Sequence, residues 1–150
     1  MKKLMILLAV AAFSAASLSA CNGASAPKTN TTEMAAPKAA GKVEVIYFHG
    51  KQRCKTCMAI EQETKAVVEG ELADLVRQGK VKMRIVDIST KEGQAIAKKY
   101  KVTFSSLFVV TNPGKGEKAE NLTDFAFANA RSHADVFRKE LKAKIFKGVK

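Results

Sequence analysis

In Val43-Glu44-Val45-Ile46-Tyr47-Phe48-His49-Gly50-Lys51-Gln52-Arg53-Cys54-Lys55-Thr56-Cys57, two kinds of local order meet. The first six residues are β-branched or aromatic except for Glu44, and read as a strand. From Val45 to Phe48 the apolar character is unbroken, as in a strand covered on both faces. His49 to Arg53 form a polar loop. A helix is expected from about Cys54, because Ile60, Val67, Val68, Leu72, Leu75 and Val76 recur at helical spacing. Gly70 is a point where that helix kinks or is interrupted.

Further along, Lys80 to Ile88 is the next strand, with Val81, Met83, Ile85 and Val86 as its apolar positions. Ser89 with Glu92 three residues on resembles a capping box and should open a short helix, with Ala95, Ile96 and Tyr100 facing inward. Leu107 to Val110 is a third strand, and Asn112-Pro113-Gly114-Lys115-Gly116 a turn. A fourth strand falls within Lys118 to Phe127. Ser132 then caps a last helix whose inner face is Ala134, Phe137, Leu141 and Ile145. The order is β-α-β-α-β-β-α. The first three strands, joined by helices, should run parallel, and the last two antiparallel. An α/β fold follows, a mixed four-stranded sheet with helices on both faces.

Upstream of this domain the chain changes character. Met1-Lys2-Lys3 is a short basic start, and Leu4 to Ala12 an apolar run too short to span a membrane. Small residues follow up to Cys21. This is the layout of a secretory leader over residues 1–20. Leu18-Ser19-Ala20-Cys21 resembles the lipobox of bacterial lipoproteins, in which the cysteine is lipidated and begins the mature chain. The alternative is an ordinary leader with a cysteine near its end. Lipidation of Cys21 would hold the domain at a bacterial membrane, on the periplasmic or other extracytoplasmic side. Residues 21–41, rich in Ala, Thr, Lys and Pro, have too little apolar surface to offset chain entropy and read as a tether. Residues 42–150 remain as one domain.

The formal charge is +12, and loss of Lys2 and Lys3 with the leader lowers it by two. No basic stripe with interleaved aromatics is present, so no nucleic-acid partner is expected. Anionic lipid suits a domain tethered beside a membrane, and a solvated lysine-rich surface is the plainer explanation.

The chain has three cysteines. With Cys21 lipidated, Cys54 and Cys57 are left. A bridge between them closes so small a loop that it constrains the unfolded chain little, which points to chemistry rather than stapling. A thiolate attacks disulfides, a thiol does not. At a helix N-terminus, unpaired N–H groups and the macrodipole favour a Cys54 thiolate. Lys51, Arg53 and Lys55 add positive potential. Cys57, one turn further in, should be more buried. Cys54 is therefore the expected attacking thiol and Cys57 the resolving one.

The element order, with Cys-x-x-Cys between the first strand and the first helix, resembles the thioredoxin superfamily over about residues 42–147. The segment Phe48-His49-Gly50-x-x-Arg53-Cys54-x-Thr56-Cys57 is similar to exported thioredoxin-like proteins with an F-H-G-x-x-R-C-x-T-C pattern. The resemblance implies a thioredoxin-like fold, a redox-active Cys54–Cys57 disulfide with no further cofactor, and protein disulfides or dithiols as substrates. It also implies recycling by another dithiol protein, such as a membrane-embedded electron donor. Departures from the family are plain. Arg53 stands where Trp is usual, and Lys55-Thr56 replaces Gly-Pro. Val45 to Phe48 supplies no carboxylate to take the proton of a resolving thiol, and Glu44 lies too early in the strand to substitute. Ser106 in Val102-Thr103-Phe104-Ser105-Ser106-Leu107 takes the place of the family's cis-proline. A trans peptide is expected there, since cis before a non-proline residue costs about 3 kcal/mol.

Supporting roles are assigned around the dithiol. Ser105 and Ser106 can donate to a thiolate. Lys55, Thr56 and Arg53 flank it. His49 can tune it or shuttle a proton, or simply end the strand. Met58, Tyr100, Phe104, Phe108, Phe125 and Phe127 read as packing, His133 as structural, and Asp124 has no role. The expected function is membrane-tethered, extracytoplasmic thiol–disulfide exchange. The alternatives are a copper or zinc binding module using Cys54 and Cys57, and a thioredoxin-fold adaptor with a vestigial dithiol.

Overall fold

The structure, a computed structural model, describes residues 42–114 and 116–150. The leader, Cys21 and the tether lie outside the described residues. The elements are β1 (Val43–His49), α1 (Lys55–Lys65), a π-helical segment (Ala66–Glu71), α2 (Ala73–Arg77), β2 (Val81–Asp87), α3 (Lys91–Lys99), β3 (Ser106–Thr111), β4 (Lys118–Asn121), α4 (Thr123–Asn129) and α5 (Ala134–Val149). They form one four-stranded sheet in the order β2-β1-β3-β4.

β1 is central, and every residue from Val43 to Phe48 is buried. Successive side chains point to opposite faces. Val43, Val45 and Tyr47 therefore join a core with Ile60, Val67 and Val68 from the first helical stretch and Phe137, Leu141 and Ile145 from α5. Ile46 and Phe48 face the other way, against Ala97 and the partly buried Ile96 of α3, with Tyr100 just beyond that helix. Phe48, Tyr100 and Phe108 meet there with ring centroids 5.6–5.8 Å apart. Helices thus cover both faces, as the continuous apolar run of β1 requires.

β1 pairs with β2 in parallel, from Val43↔Val81 to His49↔Asp87. β3 departs from expectation. It runs antiparallel to β1, with Ser106 opposite Phe48 and Thr111 opposite Val43. The cause is the length and the ending of α3. Nine residues span about 14 Å, whereas a seven-residue strand runs about 23 Å. The helix then stops in a left-handed cap: Lys101 has φ 55°, its N–H donates to the Lys98 carbonyl, and the Val102 N–H donates to the Ala97 carbonyl. The chain is returned to the end of the sheet it left, and β3 starts beside the end of β1. The tight turn to β4 is antiparallel as expected, with Asn112 and Gly114 at positive φ.

Other boundaries shift for local reasons. Thr90, not Ser89, caps α3, its hydroxyl accepting from the Gly93 N–H at 3.0 Å. Ser89 is occupied by the Asp87 carboxylate, which accepts from both its N–H and its hydroxyl. The buried positions of α3 are Gly93 and Ala97, while Ala95 is exposed. The fourth strand ends at Asn121, and Phe125 and Phe127 lie in an additional helix, α4. The break comes where Leu122 and Thr123 fold onto β3: the Leu122 N–H donates to the Leu107 carbonyl, and the Leu107 N–H to the Thr123 hydroxyl. His133, not Ser132, is the residue before α5, and its side chain makes no cap bond. The helix is held instead by its buried face, Phe137, Leu141 and Ile145, with Ala134 only half-buried. Gly70 lies inside the π-helical segment, where the first long helix is interrupted.

Gly93 is where α3 touches β2 most closely. A Cβ there would collide with the Asp87 carbonyl. Gly93→Ala should lower stability by about 1–3 kcal/mol, the usual cost of overpacking, read as a reduced urea midpoint. An unchanged midpoint would mean that the α3–β2 contact has room to give.

Candidate active site at the β1–α1 junction

β1 ends at His49, and five residues later the chain enters α1 through Cys54, its N-cap. Cys54 is extended (φ −73°, ψ 162°), the conformation that lets an N-cap side chain reach back into the helix. Its Sγ accepts the Cys57 N–H at 3.0 Å. Sulfur thus takes the place that a serine or aspartate oxygen usually fills. No acidic residue lies in the first turn of α1 to oppose a negative charge there. Cys54 is exposed, whereas Cys57 is 7% exposed. The two are joined as a disulfide, with Cα atoms 5.0 Å apart. This is a solvent-facing sulfur backed by a shielded one, on a helix end that favours a thiolate. The pair is built for thiol–disulfide exchange.

Tyr47 ties the strand to this turn. Wholly buried in β1, it donates its hydroxyl hydrogen to the Cys57 carbonyl at 2.7 Å. Burial pushes the phenol pKa up, against the opposing influence of Arg53 and of a hydrogen bond with Ser105. Tyr47 therefore stays neutral and holds the Cys57 backbone.

Arg53 packs over the Tyr47 ring, 5.9 Å from its centroid, and is ion-paired to Glu61 of α1. Its Nε–H is buried and has no acceptor among the described residues. Burial alone would lower the Arg53 pKa, but bonds to Glu61 and Tyr47 hold it above its ordinary value. Glu61 also accepts from Lys65 at 2.7 Å. Burial raises the Glu61 pKa, and the bonds from Lys65 and Arg53 outweigh it, so the carboxyl is held below the usual range. The charge of Arg53 is thus matched by a carboxylate.

The remaining sequence-derived residues are placed as follows. Lys55 is exposed and Thr56 half-buried in the first turn of α1. His49 lies at the end of β1, where its Nδ1 donates to the Gly50 carbonyl at 3.0 Å. A carbonyl can only accept, so the neutral ring presents Nε2 as its acceptor. Ser105 is buried. The Ser106 hydroxyl donates to the Phe104 carbonyl at 3.0 Å. No peptide bond among the described residues is cis. Met58 and Phe104, expected to pack, are instead 49% and 60% exposed. Met58 lies one turn after Cys54, and Phe104 lies two residues before Ser106, which pairs with Phe48 near the end of β1. Phe127 is also exposed, on the outer side of α4. Glu44, the one carboxylate of β1, pairs with Arg84 at 2.7 Å, at the far end of the strand from the dithiol. Among the described residues no group of three or more His, Cys, Asp or Glu side chains gathers to hold a metal. Cys54 and Cys57, once reduced, offer two sulfurs.

Tyr47 and Glu61 were not among the residues singled out from sequence. Their signals were slight: the one polar tip in an apolar strand, and a glutamate one turn beyond Cys57 with a lysine one turn further.

Strand order β2-β1-β3-β4, one parallel and two antiparallel pairs, helices on both faces and a dithiol at the β1–α1 junction are now all in place. The fold is thioredoxin-like. No protein-family model matches the sequence, and no curated protein matches it significantly. Solved structures similar to the chain include a malarial protein, at 18% identity over 72% of this chain and 98% of that one, with TM-score 0.44. A thioredoxin from Thermus thermophilus is 21% identical over 71% of this chain and 76% of its own, with TM-score 0.45. The Trx4 domain of ERdj5 is 16% identical over 68% and 82%, with TM-score 0.41. The fold assignment rests on the strand order and senses of this chain.

The Arg53–Glu61 pair yields a pH-dependent expectation. A carboxyl with a depressed folded pKa stabilises above its unfolded pKa, about 4.3, and that stability is lost as pH falls through the folded value. Glu61→Gln should cost about 1–2 kcal/mol near pH 7. Its deficit relative to the parent should shrink below about pH 4. Urea titrations at pH 7 and pH 3 measure this. An equal deficit at both pH values would show that the loss is packing rather than charge.

Proposed function

We propose that this chain is an exported, lipid-anchored thiol–disulfide oxidoreductase that acts on protein disulfides through Cys54 and Cys57. The observation that carries the reading is the asymmetry of the pair: Cys54 exposed at a helix N-cap, Cys57 buried one turn behind it. With the dithiol reduced, the Cys54 thiolate attacks one sulfur of a substrate disulfide. A mixed disulfide forms and the other substrate sulfur leaves as a thiolate. Cys57 then loses its proton and attacks Cys54 Sγ. The Cys54–Cys57 bond forms and the second substrate thiolate departs, so two electrons have passed to the substrate. The direction is reduction or isomerisation, because an exported compartment already favours oxidation. A dithiol protein on the membrane restores the reduced pair. Lipid on Cys21 keeps the domain within reach of that donor, and residues 22–41 act as the leash.

Two substitutions test the mechanism. Cys54→Ser should abolish turnover, whereas Cys57→Ser should retain attack and accumulate mixed disulfides on non-reducing gels of cell envelopes. Failure of Cys57→Ser to capture any partner would overturn the exchange mechanism. Equilibration of the chain from Asn22 onward with glutathione buffers, before and after adding copper or zinc, should give one reversible two-electron midpoint that metal barely moves. A couple suppressed by tight metal binding would favour a soft-metal module instead.

A further inference from the structure

The rim around Cys54 carries exposed lysines and exposed apolar side chains. Lys51, in the loop before the dithiol, and Lys55, immediately after Cys54, are both exposed and make no ion pair among the described residues. Glu92 and Asp124 stand exposed in the first turns of α3 and α4, and two further carboxylates at this end of the sheet are engaged. Glu61 is bound by Arg53 and Lys65. Asp87, opposite His49 in register, accepts both hydrogens of Ser89, and those bonds hold its pKa down. Met58, one turn after Cys54, and Phe104, in the segment leading to β3, are two of the most exposed large apolar side chains among the described residues. Phe104 is held at the dithiol end of the sheet because Ser106, two residues on, donates to its carbonyl and pairs with Phe48 near the end of β1.

We infer that this site selects polypeptide disulfides whose reacting cysteine is flanked by carboxylates and followed or preceded by an apolar side chain. The inference rests on the oxidoreductase reading above and names its substrate class. Two unpaired lysines beside the attacking sulfur attract acidic flanks and repel basic ones. The attraction acts on encounter and weakens with salt. The same lysines favour the anionic transition state in which charge is shared among three sulfurs, whatever the substrate. Only the dependence on the substrate's own charge therefore reports the selection. The apolar rim favours a peptide over a small anionic disulfide, since Met58 and Phe104 regain buried area only against a partner with a side chain to offer.

The test is a single-turnover reaction of the pre-reduced full chain, purified in an uncharged detergent. It would be mixed with three matched peptide disulfides carrying Glu, Gln or Lys on both sides of one cysteine beside a Leu. Bis(2-hydroxyethyl) disulfide serves as small uncharged reference, and glutathione disulfide as small anion. With surface charge pairs of ordinary strength, the Glu peptide should react about five-fold faster than the Gln peptide at low salt. It should react ten-fold or more faster than the Lys peptide. The differences should collapse near 0.5 M salt. Lys51→Glu with Lys55→Glu should reverse the order of the three peptides, each rate taken relative to the uncharged reference. Phe104→Ser should slow all three peptides while sparing glutathione disulfide. Equal rates for the three peptides, or an order that survives the double substitution, would overturn the selection. An effect of Phe104→Ser equal on peptides and glutathione disulfide would overturn the peptide assignment. If no disulfide reacts, the uncharged reference included, the oxidoreductase reading fails and this inference with it.

Discussion

Burial of β1 on both faces is the constraint from which the rest of the architecture follows. A strand with apolar side chains in both directions must be central, and it must be covered from both sides. Tyr47 and its alternates require α1 and α5, while Ile46 and Phe48 require α3. β2 and β3 then fill the two flanks, and β4 adds to the outer side of β3. The end of so firmly held a strand is a fixed point. Placing Cys54 five residues beyond it, at the first free N–H groups of a helix, puts the sulfur where the scaffold is rigid and the potential positive.

The polar arrangement beneath the dithiol is a second layer on this scaffold. Tyr47 bonds the Cys57 carbonyl, Arg53 lies over the Tyr47 ring, and Glu61 secures Arg53. The first joins the strand to α1, the second the loop to the strand and the third the loop to α1, so together they hold the turn that carries both cysteines. The family to which the sequence bears a resemblance has a buried carboxylate in this strand. Here a neutral phenol occupies the strand and the nearest carboxylate sits on the helix, matched by two cations. Arg53 is therefore a structural cation, and the unpaired positive charge beside Cys54 belongs to Lys51 and Lys55.

The segment preceding β3 is likewise rebuilt. Where the family has a proline, Ser106 donates to the Phe104 carbonyl, and Ser105 and Ser106 are both buried. Both serines are taken into the fold, and Phe104 is left outside it. A ring that sequence reading assigned to the core stands in solvent because its neighbours, not it, are anchored.

Sequence alone was enough for the elements that depend on local pattern. The strand Val43 to Phe48, the dithiol at the head of a helix, the inner face Phe137, Leu141 and Ile145, and the Asn112–Gly116 turn follow from residue type and spacing, which short-range sterics and amphipathicity translate directly. The exposed and buried ranks of Cys54 and Cys57 follow from the same helical geometry. Tertiary structure decided what depends on how far an element reaches and on what it meets. The sense of β3 was set by a helix too short to cross the sheet and by a lysine in a left-handed cap, a position where pattern expects glycine. Thr90 displaced Ser89 as cap because Asp87 had already engaged the serine. The Arg53–Glu61–Tyr47 contacts join residues from loop, helix and strand, and Met58 and Phe104 are exposed because no described element packs over them. Spacing along a chain encodes neighbours on one element, whereas pairing across elements exists only once those elements are packed.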